Sequence, residues 1–152
     1  MRFWQGEEDV RGEMEAGMNK PRRQRVLLIS RNSGTGFWRV IQPLAFLRDT
    51  KICDLEWLSP EDVPTRDRLF LESFDTFVFH QAYMDDMWQL AVVVKSLGKR
   101  VIFSCDDLIV GHQIPKFIKG GLPYNDPTVM RTVHDTFTLS DKVLVTTPIL
   151  AE

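Results

Sequence analysis

The sequence predicts an α/β fold, a doubly wound parallel sheet of about five strands in a single domain. Three observations predict it. The chain has 152 residues, which is the usual size of one domain. Short apolar runs typical of buried strands alternate with longer stretches of helical spacing. Segments with glycine or proline separate the two kinds of stretch, as turns do.

A charged leader, residues 1–24, precedes the predicted domain, residues 25–152. The leader is acidic around positions 7–15 and basic from Lys20 onward, and its apolar residues are sparse. We therefore expect a flexible or loosely helical leader. Its basic cluster could contact an anionic membrane or a phosphorylated ligand, but a solvated approach to the first strand is favoured.

Short runs of branched and aromatic residues predict the strands. They are Arg25–Ser30, Ile52–Leu58, Asp75–His80, Arg100–Ser104 and Lys142–Thr146. Right-handed crossovers between parallel strands then give a Rossmann-like topology. In the usual order of such a sheet, the first and fourth strands are neighbours. The stretch between Pro60 and Pro64 is predicted to be a loop.

Helices are predicted between several of these strands. The first follows a glycine loop and contains Pro43, which either kinks the helix or stands at its first regular position. A second follows the third strand, with Gly98 as a glycine just beyond its end. A third covers residues 127–139, with Asp126 as the N-cap and Pro127 at its first position.

Composition and charge exclude several classes. Hydrophobic residues make up 43% of the chain and charged residues 26%, which excludes a fully disordered protein. The net charge of −2 argues against general nucleic-acid binding. Cys53 and Cys105 lie in apolar stretches and are expected to be buried, reduced thiols, without a disulfide framework or a zinc site. We expect no cofactor.

The distribution of apolar residues also predicts the cellular location of the protein. No apolar run reaches the length of about 18 residues that a membrane-spanning helix needs. The N-terminal residues lack the apolar core of a secretion signal. A cytoplasmic protein without an integral membrane segment is therefore expected.

Functional side chains should come from the loops at the carboxyl ends of the strands, where open parallel sheets bind ligands. Gly34 and Gly36 follow the first strand and precede a helix, so their backbone could approach a phosphate, although a plain tight turn explains them about as well. The loop is neither a GxGxxG fingerprint nor a P-loop, because Arg39 replaces the third glycine and no GK[ST] follows.

Charged residues near these strand ends are further candidates. Arg39 lies in an apolar stretch whose members should be buried, and it either clamps a phosphate or carboxylate or pairs with Asp106 or Asp107. These adjacent aspartates follow the fourth strand. They could bind a divalent metal, act as a base or hold sugar hydroxyls, or one could cap the next turn while the other is solvated. A functional role is favoured, and hydrogen bonding is favoured over metal binding because no third metal ligand is evident. His80 is the last residue of the third strand. It could act as a base, contact a ligand or make a structural hydrogen bond.

The order of these motifs resembles GT-B-type glycosyltransferases. A strand RVLLIS, a glycine loop and the segment 37–40 (FWRV) followed by Pro43 resemble the opening of the family 4-like set. Three later segments resemble that set in the same order, and they are Asp75–Gln81, Gly98–Asp107 and Ser140–Glu152. The resemblance covers about residues 25–152.

The resemblance implies transfer of a sugar from a nucleotide-sugar donor to a sugar, lipid or protein acceptor. Such enzymes have two Rossmann-like domains with the active site between them, and the N-terminal one mainly shapes the acceptor side. Position by position, it implies phosphate or acceptor contacts for Gly34, Gly36 and Arg39. It implies an acceptor-side lining for His80, Asp106 and Asp107.

The sequence departs from this family because it stops at Glu152, before a donor-binding domain. We therefore expect the chain alone to be inactive, a second polypeptide to carry the donor half, and no catalytic residue to be assignable. The alternative is a non-catalytic, Rossmann-like binding or assembly module. A receiver-like signalling domain is disfavoured, because Arg31, Asn32 and Ser33 stand where a receiver has acidic residues.

Overall fold

The computed structural model describes residues 22–31, 37–81, 85–105 and 127–145. These residues form a five-stranded, all-parallel sheet in the order β2-β1-β3-β4-β5. The strands are β1 (Gln24–Ile29), β2 (Cys53–Leu58), β3 (Thr76–His80), β4 (Arg100–Cys105) and β5 (Lys142–Val145). The α/β fold with a doubly wound parallel sheet is thus confirmed, and each strand lies within one residue of its predicted bounds.

Helices connect the strands on both faces of the sheet. A π-helical turn, Phe37–Ile41, leads directly into α1 (Gln42–Asp49). The other α-helices of the described residues are α2 (Arg68–Glu72), α3 (Asp85–Ser96) and α4 (Pro127–Leu139). Pro43 stands in the first turn of α1, where a missing backbone N–H costs least, so the regular helix does begin beside it.

The predicted neighbourhood of the first and fourth strands is wrong. The chain passes from β2 across β1 to β3, so β3 occupies the place beside β1, and β4 lies one strand further out. The apolar runs identify the strands but carry no information about the side on which a crossover returns. The result is the flavodoxin-like order, in which the direction of winding reverses between β1 and β3.

Alternation along the strands divides the core between the two faces. On one face, Leu27 and Ile29 pack against α3 and α4, where Val94 and Val133 are completely buried. On the other face, which we call the α1 face, Val26 and Leu28 pack against the π-helical turn and α1. Strands covered on both faces have continuous apolar runs, which is why β1 and β3 were recognisable from sequence.

The residues at the end of α3 and at the start of α4 explain where these helices stop and begin. Beyond α3, Gly98 has a φ of 72°, the N–H of Gly98 donates to the Lys95 carbonyl, and the N–H of Lys99 donates to the Val94 carbonyl. These bonds form a Schellman motif, and Gly98 occupies its left-handed position as predicted. The first position of α4 is Pro127, also as predicted, whereas Asp126 lies outside the described residues.

The loop predicted between Pro60 and Pro64 contains a short 3-10 turn, Pro60–Asp62, and α2 follows it. The short helix α2 was not predicted, because five residues are too few to show a helical period. Its start has a recognisable signal, since the Asp67 carboxylate accepts a hydrogen bond of 3.0 Å from the Phe70 N–H as an N-cap.

Candidate functional site

The rule for open parallel sheets places a ligand site at the carboxyl edge, next to the reversal between β1 and β3. Two of the predicted site residues, Arg39 and His80, lie in the described part of the chain. The other four lie outside the described residues, and they are Gly34, Gly36, Asp106 and Asp107. The described part of the candidate site therefore consists of the strand ends and the start of the first helix.

Arg39 lies in the π-helical turn at the carboxyl edge, with an exposed side chain. The turn directs Val40 and Ile41 into the core. The expectation that its neighbours are all buried is wrong for Phe37 and Trp38, because this turn leaves them at the surface. There the two rings meet edge to face, 5.2 Å apart, and Trp38 is 65% exposed. π-Helical turns often occur at functional sites, which fits this position.

His80 is the last residue of β3 and only 5% exposed. The parallel register places it beside Ser104 of β4, and its Nδ1 lies 3.3 Å from the Ser104 Oγ. Of the roles considered for His80, this contact supports the structural hydrogen bond. The bond links the ends of two strands and orients the Ser104 hydroxyl, which sequence reasoning did not single out.

Two hydrogen bonds to β2 hold Ser30, the residue that follows β1. The N–H of Ser30 donates to the Leu58 carbonyl over 3.1 Å, and the Trp57 Nε1–H donates to the Ser30 carbonyl over 2.8 Å. Ser30 is fully buried, so both backbone groups need these partners. Trp57 was not among the predicted site residues. A tryptophan at the carboxyl end of a strand is a signal for such an anchor, because its N–H seeks an acceptor when partly buried.

A groove of about 210 Å³ lies on the α1 face between α1 and β5, and we call it the α1 groove. Val40 and Leu44 form its helical wall, and Val78, Ile102 and Leu144 form its floor. Arg39 and Ser104 also line it. The groove therefore joins an apolar surface to two of the polar side chains at the carboxyl edge.

The opposite, amino edge carries charges that neutralise one another. The Asp141 carboxylate accepts hydrogen bonds from the Lys95 ammonium at 2.5 Å and the Val101 N–H at 2.8 Å. The Lys95 bond, then the Val101 bond, lower the pKa of Asp141. Asp75 similarly accepts a bond of 2.8 Å from the Arg25 N–H. These carboxylates fix the starts of β1 and β4.

Within the described ranges, no three His, Cys, Asp or Glu side chains are grouped so that they could hold a metal ion. None of the helices in those ranges combines the length and apolarity that a bilayer crossing requires. A scan against protein-family models finds no match, and a search of curated proteins finds no significant match.

Proposed function

We propose that this chain is the acceptor-side domain of a GT-B-type glycosyltransferase. In combination with a donor-binding domain, it transfers a sugar from a nucleotide-sugar donor to an acceptor. One observation carries the proposal. The strands of the four segments that resemble this family, β1, β3, β4 and β5, are parallel members of one sheet, so their carboxyl ends share one edge. A ligand facing that edge meets Arg39 and the β3–β4 strand ends together.

The residues at this edge suit the charge that such a transfer develops. A leaving nucleoside diphosphate gains negative charge, and fixed donors near its oxygens stabilise that charge. Arg39 is permanently cationic, and its planar guanidinium offers paired donors to a phosphate of the donor or to an anionic acceptor. The Ser104 hydroxyl, held by His80, offers a second polar contact for the acceptor. Neither group is assigned as a general base.

Sugar transfer tests the proposal directly. Nucleoside diphosphate release from a panel of nucleotide sugars is measured with the chain alone and with a donor-type domain encoded beside it. We expect turnover only for the pair. With Arg39→Ala, kcat/KM should fall about tenfold or more, as loss of one charge-assisted hydrogen bond does. Arg48→Ala in α1 is the matched control. Efficient transfer by the chain alone would refute the two-domain logic.

A second candidate is a non-catalytic binding or assembly module. The exposed Phe37–Trp38 pair favours it, because adjacent exposed aromatic rings are common at protein interfaces. Size-exclusion chromatography with light scattering distinguishes the candidates. A concentration-dependent oligomer that Trp38→Ser dissociates supports the module, whereas a monomer unaffected by this change supports the glycosyltransferase domain.

A further inference from the structure

The floor of the α1 groove is an apolar surface that the described helices leave partly open. Val78 is buried by α1, but Ile102 is only half-buried and Leu144 is 49% exposed. Parallel sheets normally have both faces covered by apolar groups. The outer strands of the α1 face therefore present apolar surface that no described helix covers, beside the candidate site.

The groove is polar at its carboxyl end and apolar away from it. Arg39 and Ser104 mark the polar end. Along β4, the step from Ser104 to Ile102 covers about 6–7 Å. On the helical wall, Arg39 lies in the π-helical turn and Leu44 lies in the first turn of α1 that follows it. Leu144, beside Ser104 in the register of β4 and β5, extends the apolar surface toward the edge strand.

Size and charge together select an occupant. A volume of about 210 Å³ lies below the 300–1,000 Å³ of pockets for drug-sized ligands, so the groove suits one flexible chain. The guanidinium of Arg39 matches the geometry of a phosphate or carboxylate head. The Ser104 hydroxyl adds a hydrogen bond to such a head.

We propose that the α1 groove binds a single-chain amphiphile with an anionic head, its head at Arg39 and Ser104 and its chain over Ile102 and Leu144. The shared chemistry is an alkyl or isoprenyl chain ending in a phosphate or carboxylate. This rests on the proposed function in one respect, since it names the acceptor class of that enzyme as an amphiphilic anion. The binding itself is independent of sugar transfer.

Calorimetry with chain-length series tests the proposal. Butyl, hexyl and octyl phosphate, and the matching carboxylates, are titrated below their micellar concentrations. Each added methylene should raise affinity about threefold to fourfold until the groove is filled. Octanol, inorganic phosphate and octyltrimethylammonium should each bind at least tenfold more weakly than octyl phosphate. Equal affinity for inorganic phosphate, or no binding of any amphiphile, overturns the proposal.

Matched variants locate the two ends of the ligand. Arg39→Ala should weaken octyl phosphate about tenfold and leave octanol unchanged, with Arg48→Ala in the following helix α1 as the control. Leu144→Gln should flatten the chain-length series. Val143→Gln is its neighbour control, because Val143 lies opposite Phe103 and so faces the other side of the sheet. Equal losses at Leu144 and Val143 would overturn the placement of the chain.

The remaining outcomes separate the two proposals. A greater loss with Lys142→Ala than with Arg39→Ala would overturn the placement of the head, since Lys142 lies on the same face outside the groove lining. Binding without sugar transfer in any combination would retain the groove and remove the proposed function. Transfer to a non-amphiphilic acceptor, with no amphiphile bound, would remove the groove assignment alone. Thermal denaturation confirms that each variant is folded.

Discussion

At the scale of single residues, the main question is whether Arg39 forms a structural ion pair or contacts a ligand. The pair with Asp106 or Asp107 was expected from adjacent first and fourth strands, but β3 lies between β1 and β4. Arg39 nevertheless lines the α1 groove together with Ser104, so its side chain lies near the end of β4 although β1 and β4 are not neighbours. Arg39 is also exposed, and exposed ion pairs contribute little to stability.

We therefore expect Arg39→Ala to change the free energy of unfolding by less than about 1 kcal/mol, while ligand binding weakens. A double-mutant cycle with Asp107→Asn, followed by urea unfolding, measures the coupling between the two side chains. It should be below about 0.5 kcal/mol. A coupling of several kcal/mol, with unchanged ligand affinity, would restore the structural role.

The two thiols provide a second residue-scale prediction. Cys53 and Cys105 are both buried, and burial, followed by the nearby Asp54 charge, raises the pKa of Cys53. Because the thiolate is the reactive form, native protein at pH 8 should react slowly with a thiol reagent, and unfolded protein should react at once. Thr50→Cys, at an exposed helix end, is the positive control. Rapid native labelling of Cys53 would show that β2 opens locally.

At the scale of elements, α1 and α3 end in the same motif with different residues. Beyond α1, the Lys51 N–H donates to the Arg48 carbonyl and the Ile52 N–H donates to the Leu47 carbonyl, which repeats the Schellman bonds of α3. Lys51 has a φ of 60°, in the left-handed position that Gly98 occupies after α3. A side chain is disfavoured there by about 1–2 kcal/mol.

Reciprocal substitutions should therefore have opposite signs. Lys51→Gly should stabilise the protein, and Gly98→Ala should destabilise it, each by about 1 kcal/mol. A Cβ on Gly98 would meet no atom within 4 Å, so its cost is conformational and not a clash. Gly98→Asn, which tolerates this region better, should lose less. Chemical denaturation measures all three, and a stabilising Gly98→Ala would contradict the assignment.

At the same scale, the strands show which features the sequence could predict and which it could not. Strand bounds were predictable because residues on both faces of the sheet are buried, such as Leu27 on one face and Leu28 on the other, which leaves continuous apolar runs. Strand order was not, because it depends on where α2 returns the chain. The Ser104–His80 contact and the Trp57 anchor were missed for the same reason, since each joins strands whose pairing only the fold establishes.

At the scale of the whole molecule, the Lys95–Asp141 bond makes stability depend on pH. It joins α3 to the start of β5, and the pKa of Asp141 is lowered in the folded state. A carboxyl with a depressed folded pKa stabilises the protein above its unfolded pKa near 4, and this contribution is lost as pH falls through the folded pKa.

Asp141→Asn should thus lower stability at pH 7 by about 0.5–1 kcal/mol, a value limited by solvent screening because the Asp141 side chain is 39% exposed. The difference from the natural chain should shrink below pH 4 and with added salt. Urea unfolding from pH 3 to 7 measures it, with the exposed Glu61→Gln as a control. A difference that grows as pH falls would contradict the sign.

The two hydrogen bonds that hold Ser30 after β1 also affect the thermodynamics of ligand binding. Ordering one backbone residue costs about 1–2 kcal/mol in conformational entropy. Trp57 and Leu58 already hold both backbone groups of Ser30 before any ligand arrives. At this point of the carboxyl edge, folding has met the ordering cost, so binding there should proceed with little loss of backbone entropy and little change in the hydrogen exchange of the Ser30 amide.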